Sequence, residues 1–209
     1  MEHINALTYI NRLGDVYYFR KTPGGRGGER VVASRKQTGD ALNSLPRGME
    51  IAETPNGKVF CRKKQKSRIL SSEIRAIKAW MPKLKKQACL AVELKPDAII
   101  VHSAPLPRFP AALTDVLLPQ ILRKMPPEER AAAKRFIAKR DAAWTEKMLH
   151  YEPMVKFELD DPELRIYSLF RMCDMGFRKK WMLLSTGTLE DLAAKIMPHL
   201  ELESFFDLI

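Results

Sequence analysis

A chain of 209 residues with 45% hydrophobic and 29% charged residues has room for a buried core, in one large domain or two small ones, and is not composed like a disordered protein. No window holds the roughly 18 consecutive apolar residues of a membrane span, and Met1-Glu2-His3-Ile4-Asn5-Ala6-Leu7 lacks the regions of a signal peptide. The net charge of +11 is unevenly placed: residues 1–88 hold 19 Lys+Arg against 7 Asp+Glu, a net of +12, whereas residues 89–209 hold 17 against 18.

Such asymmetry points to contact with nucleic acid or another anionic surface. Three widely spaced cysteines, Cys61, Cys89 and Cys173, suit free thiols in a reducing compartment, so a cytoplasmic protein without a membrane partner is expected. Eight of the ten glycines fall between Gly14 and Gly57. Turn-rich β structure in front and helix-rich structure behind follows from that distribution.

In chain order, Met1 to Leu13 reads as a weakly helical lead-in. Val16-Tyr17-Tyr18-Phe19-Arg20 is aromatic and β-branched and predicts a strand, returned by Glu29–Ser34 after the loop Pro23-Gly24-Gly25-Arg26-Gly27-Gly28. One helical turn is expected over Asp40–Asn43. A second hairpin is predicted from Met49–Thr54 and Lys58–Lys63, with Pro55-Asn56-Gly57 as a type I′ turn. Ser71-Ser72-Glu73 predicts a helix start with hydroxyl caps, and Pro82 its end. The apolar runs Ala88–Leu94 and Ala98–Ser103 predict a third hairpin, buried on both faces and central to the fold.

Residues 104–110 form a proline-rich connector between a basic hairpin-rich part with one helix (1–104) and a helix–strand–helix part (111–209), which are expected to share one core. Helices are predicted over Ala111–Met125 and from Pro126 to about Leu149, the second with Ala133, Phe136, Ile137, Trp144 and Met148 inward. Strands follow at Met154–Leu159, Leu164–Met172 and Trp181–Leu184. Thr188 with Glu190 and Asp191 caps a last helix that stops at Pro198. The fold class is α+β, with N-terminal antiparallel hairpins followed by a mixed helix–strand part.

The phrases Leu45-Pro46-x-Gly48-x-Glu50-Ile51, Asn56-Gly57-x-Val59-x-x-Arg62-Lys63, and His199-Leu200 followed by Glu203-Ser204-Phe205-Phe206 resemble recurring phrases of uncharacterised bacterial proteins. The resemblance covers about a tenth of the chain. It implies a bacterial cytosolic origin and transfers no activity.

The leading function class is a non-enzymatic nucleic-acid-binding protein that meets DNA or RNA through Arg20, Lys21, Arg26, Arg30, Lys58, Arg62, Lys63, Lys64, Lys66 and Arg68. Cations neutralise phosphates and release counterions. The neighbouring aromatics Tyr17, Tyr18, Phe19 and Phe60 could stack on bases, but their alternation favours a core. An alternative is an adaptor for an acidic protein partner, self-associating as a homo-oligomer through Phe205, Phe206, Leu208 and Ile209. A third is an enzyme of unrecognised type. Glu93-Leu94-Lys95 matches half of a metal-dependent nuclease site, without the upstream strand-borne acid that chemistry needs. Cys89 and His102 would be a thiol–imidazole pair in one hairpin register, although an inert thiol fits the apolar strand better. No phosphate-loop, dinucleotide or serine-hydrolase motif is present, the histidines are scattered, and no cofactor or metal site is expected.

Overall fold

The computed structural model describes residues 6–25, 28–38, 40–84, 88–105, 118–176, 178–200, 202 and 205, of which 83, 88, 118 and 140–143 by backbone alone. The fold is α+β. Its N-terminal unit is made of strands Thr8–Ile10 (β1), Val16–Pro23 (β2) and Glu29–Ser34 (β3), paired antiparallel in the order β1-β2-β3, and a hairpin of Met49–Glu53 (β4) and Val59–Lys63 (β5). Where a helical lead-in was expected, Tyr9 pairs with Tyr17 and turns its ring to a small core; strand pairing overrides the weak helical pattern. Residues Asp40 and Ala41 likewise make a turn and an isolated bridge to Arg20, not a helical turn.

Alternation does the packing. Tyr17, Phe19 and Val59 are buried together, with Leu7, Val31, Ala33, Leu42, Ile51 and Cys61 against them. Residues opposed across an antiparallel pair share a face. The pairs Phe19 with Ala33 and Lys21 with Val31 therefore leave Tyr18, Arg20, Thr22, Arg30 and Val32 on the outer face.

The turn of the second hairpin differs from the type I′ expected. Gly57 has φ +75°, but Asn56 keeps a negative φ. Pro55 fixes a type I bend, Gly57 N–H donates to Thr54 C=O at 2.9 Å, and Gly57 carries the left-handed step. The β1–β2 turn repeats this design at Asn11–Gly14, where Gly14 has φ +83°.

The second unit is a five-stranded antiparallel sheet in the order β10-β9-β8-β7-β6, from Ala88–Leu94 (β6), Ala98–Pro105 (β7), Glu152–Asp161 (β8), Ile166–Asp174 (β9) and Lys179–Thr188 (β10). β7 and β8 flank the proline-rich connector yet pair directly, so the elements on either side of it build one sheet. Helices Ser71–Lys78 (α1) and Leu189–Ile196 (α4) cover one face, burying Ile77, Leu192 and Ile196 against Ile99, Val155, Phe157 and Leu169. The opposite face carries Lys156, whose ammonium lies 4.1 Å from the Phe170 ring centre. Helices Leu118–Lys124 (α2) and Pro127–Met148 (α3) lie between β7 and β8 in sequence. Phe136 and Met148, expected inward, are 69% and 54% exposed. α3 thus has no continuous apolar stripe among its described residues.

Helix α1 begins without the hydroxyl cap expected at Ser71. Leu70 is the N-cap residue, and Glu73 reaches back to accept its N–H at 2.7 Å. Glu73 is only 6% exposed, and Arg165 in the β8–β9 turn grips it with Nε and Nη2. Arg165 holds φ +55°, and its Nη1 also donates to the Arg68 C=O at 3.2 Å. One ion pair therefore ties the interunit segment, the start of α1 and a sheet turn together. Removing one member leaves the other poorly solvated. Glu73→Ala should cost about 3 kcal/mol in urea unfolding, and Glu73→Gln, which keeps the acceptor for Leu70, about half of that. A change below about 0.5 kcal/mol for both would contradict this role.

Candidate functional site

Of the ten expected phosphate-binding cations, the nine that are described divide into three groups. Three are in ion pairs: Lys21 with Glu29 at 2.6 Å, Arg62 with Glu50 at 2.7 Å and Arg68 with Asp97 at 2.6 Å. Arg20 and Arg30 stand on the outer face of the three-stranded sheet, Arg30 bonded to the Thr22 hydroxyl at 3.3 Å. Arg20 is half-buried and its charge helps hold Asp40 below the ordinary carboxylate range, after a larger effect of the Thr38 hydrogen bond. Lys58, Lys63, Lys64 and Lys66 are exposed, and none has an ion-pair partner among the described residues. Arg26 lies outside the described residues.

These lysines follow from the local sequence. Lys58 closes the Gly57 turn, Lys63 ends β5, and Lys64–Lys66 lead towards α1, with the backbone anchored by Lys64 N–H to Gly48 C=O at 2.7 Å. The aromatics do not join them as stacking platforms. Tyr17 and Phe19 are core residues, and Tyr18 and Phe60 are half-buried, Phe60 against the cleft that Arg62 also lines.

The two G-type turns meet tip to tip. Asn11, 4% exposed, accepts the N–H groups of Leu13 and Asp15 on Oδ1 and donates Nδ2 to Gly57 C=O at 2.7 Å. A Cβ at Gly57 would lie 2.9 Å from the Leu13 side chain, so both space and backbone demand glycine there. The paired tips present Arg12 and Asn56 to the second unit. Arg12 donates to the Glu146 and Leu149 carbonyls at 3.2 and 3.3 Å, capping the C-terminal end of α3, and stacks 5.1 Å from the Tyr151 ring centre. Asn56 exchanges two hydrogen bonds with the Tyr151 backbone, at 2.9 and 2.7 Å, as a strand neighbour would.

Beside this seam opens a cleft of about 400 Å³. Arg12, Glu53, Phe60, Arg62 and Glu93 line it together with the tip of β4. Glu93 accepts from Lys95, and its Oε2 lies 3.1 Å from Nε2 of the buried His102, whose Nδ1 is buried without a hydrogen-bond partner among the described residues. The hydrogen bond from His102, then that from Lys95, overcomes burial and holds the Glu93 carboxyl at about 2. So strong an acid is a poor proton acceptor at neutral pH.

The nuclease half-motif is thereby occupied with itself. Lys95 and His102 engage Glu93, and among the described residues no three His, Cys, Asp or Glu side chains are grouped to hold a metal ion. Cys89 sits opposite Ala104, while His102 sits opposite Ala91, so thiol and imidazole are diagonal and share no hydrogen bond. The register is displaced from the one that would pair them. Phe205 is also not free to meet a second subunit. It is fully buried in its own chain, with its C=O accepting from Arg171 at 2.7 Å. Phe206, Leu208 and Ile209 lie outside the described residues.

Comparisons with protein-family models, with curated proteins and with solved structures found no match to this chain. Its geometry is therefore the ground for function. Sequence reasoning missed Arg12 and Asn56 as interaction residues, and it considered Cys89 as the partner of His102 where the structure gives Glu93. The Asn56-Gly57 turn was visible and the Asn11–Gly14 turn was not, and nothing local told that Asn56 would dock on Tyr151, 95 residues away.

Glu93 also sets a pH dependence. Its folded value lies near 2, below its ordinary 4.5, so its contribution to stability is present above pH 4.5 and is lost as pH falls from there towards 2. Glu93→Gln should remove on the order of 2 kcal/mol at neutral pH and flatten the acid limb of stability between those values. A carboxyl titration midpoint near 4.5 by NMR would contradict this.

Proposed function

We propose that this chain is a nucleic-acid-binding protein without catalytic activity, which meets the phosphate backbone of DNA or RNA with its N-terminal unit and interunit segment. The single observation that carries the reading is the set Lys58, Lys63, Lys64 and Lys66: exposed, close in sequence, and without ion-pair partners among the described residues. Three nearby cations of the same basic region, Lys21, Arg62 and Arg68, are instead held in ion pairs. Unpaired lysines in a region of net charge +12 attract phosphates through counterion release.

With Tyr17 and Phe19 buried, base stacking has few candidates, so recognition by charge density is favoured over base readout. Free thiols at Cys61, Cys89 and Cys173 fit a reducing, cytoplasmic setting for this role. No described helix is long and apolar enough to cross a membrane.

Binding to a 20-base-pair duplex, followed from about 50 to 200 mM salt, tests the reading. Four phosphate contacts give a slope of log K against log salt of about −3.6. Lys64→Ala with Lys66→Ala should reduce its magnitude by about 1.8, and Lys134→Ala on α3 should leave it unchanged. Affinity no better at about 100 mM salt than that of a basic control protein of equal charge would sink the proposal.

A further inference from the structure

β6 ends the five-stranded sheet and β4 ends its hairpin, so each strand is paired on one side only. Among the described residues no further backbone hydrogen bond reaches Ala91–Leu94 or Glu50–Glu53. The cleft at the seam runs between these two strands. Consecutive residues line it on both sides, Ala91-Val92-Glu93-Leu94 and Ala52-Glu53-Thr54-Pro55. Neighbouring side chains of a strand point to opposite faces, so a cavity lined by both sets borders a strand edge and not a sheet face.

An open edge offers an alternating row of N–H and C=O groups, and the ligand that matches such a row is another extended peptide. The β6 residues on the cleft span about 13 Å, enough for a segment of about four residues. Charge selects among peptides. Glu53 already accepts from the Tyr9 hydroxyl and the Arg12 N–H, both at 2.8 Å, and Glu93 from Lys95 and His102. Arg62 gives Nε to Glu50, while its two terminal nitrogens have no partner among the described residues. The unsatisfied side-chain donors on the cleft are thus those of a guanidinium, suited to a carboxylate. None of Lys58, Lys63, Lys64 and Lys66 lines the cleft, so it is separate from the lysine surface proposed for nucleic acid.

We propose that this cleft binds an extended acidic peptide segment of a partner protein, which adds as a strand to the β6 edge while Arg62 takes one of its carboxylates. Main-chain bonds supply affinity, and Phe60, Val92 and Leu94 supply apolar walls for the alternate side chains.

The test uses the full chain and a fluorescein-labelled six-residue peptide of alternating valine and glutamate, read by anisotropy and by amide hydrogen exchange. Two versions N-methylated at alternate amides, a valine–lysine counterpart and a twelve-nucleotide oligothymidylate serve as comparisons. The acidic peptide should bind and slow exchange at alternate positions of Ala91–Leu94. One N-methylated version should lose at least about tenfold in affinity, the other little. Arg62→Ala should cost about tenfold and Arg62→Lys less, whereas Lys64→Ala with Lys66→Ala should leave peptide binding unchanged. No binding of the acidic peptide, equal binding of both N-methylated versions and the parent, or protection in the free protein of those β6 amides that point away from β7 would each overturn the proposal. Protection of the same amides by oligothymidylate would assign the cleft to nucleic acid instead.

Discussion

Arg12 capping the end of α3 is the contact on which the arrangement of the two units depends. The guanidinium meets carbonyls that a helix leaves without intrahelical donors, at the negative end of its dipole. Asn56 then fixes the tip of the second hairpin to the Tyr151 backbone. Since Asn11 joins the two tips, the small unit docks as one piece. The open edges of β4 and β6 border the same cleft because of that docking, and the lysine segment from Lys63 to Lys66 leads directly from one unit to the other.

Size explains why docking matters. Among the described residues, the N-terminal unit buries Tyr17, Phe19 and Val59 as the centre of its own core, whereas the second unit buries seventeen together. A unit of about 60 residues gains little from burial alone. Glu73 and Arg165 brace the other end of the junction, where the basic segment turns into α1. Polar contacts made by few residues thus hold two hydrophobic clusters in register.

Much of the architecture was legible in the residues because it rests on local chemistry. Alternation at Val16–Arg20, the glycine at 57 and the Thr188 cap each fix their own element, whereas the Asn11–Gly14 turn was masked by the weak helical pattern before it. Asn56-Gly57 marked a hairpin but not its type, since Pro55 before it biases the bend away from I′. Non-local pairing was hidden. The partner of Glu73 lies 92 residues later, the seam spans 95 or more, and a shift of two residues moves Cys89 away from His102. The basic run read as one patch, yet folding gave Arg62 and Arg68 acidic partners and put Arg20 on a different face from Lys21. Linear proximity counts charges; only the fold shows which remain unpaired.

Those unpaired lysines carry the functional reading, and their position can be mapped directly. A backbone ¹H–¹⁵N NMR titration of the full chain with a short duplex at about 100 mM salt locates the contact surface residue by residue. The account predicts shifts concentrated at Lys58 and at Lys63–Lys66, with Arg20 and Arg30 at the margin, and little change along α3 or β10. Shifts confined to Lys134, Arg135 and Lys139 of α3, or no shifts at all, would contradict it.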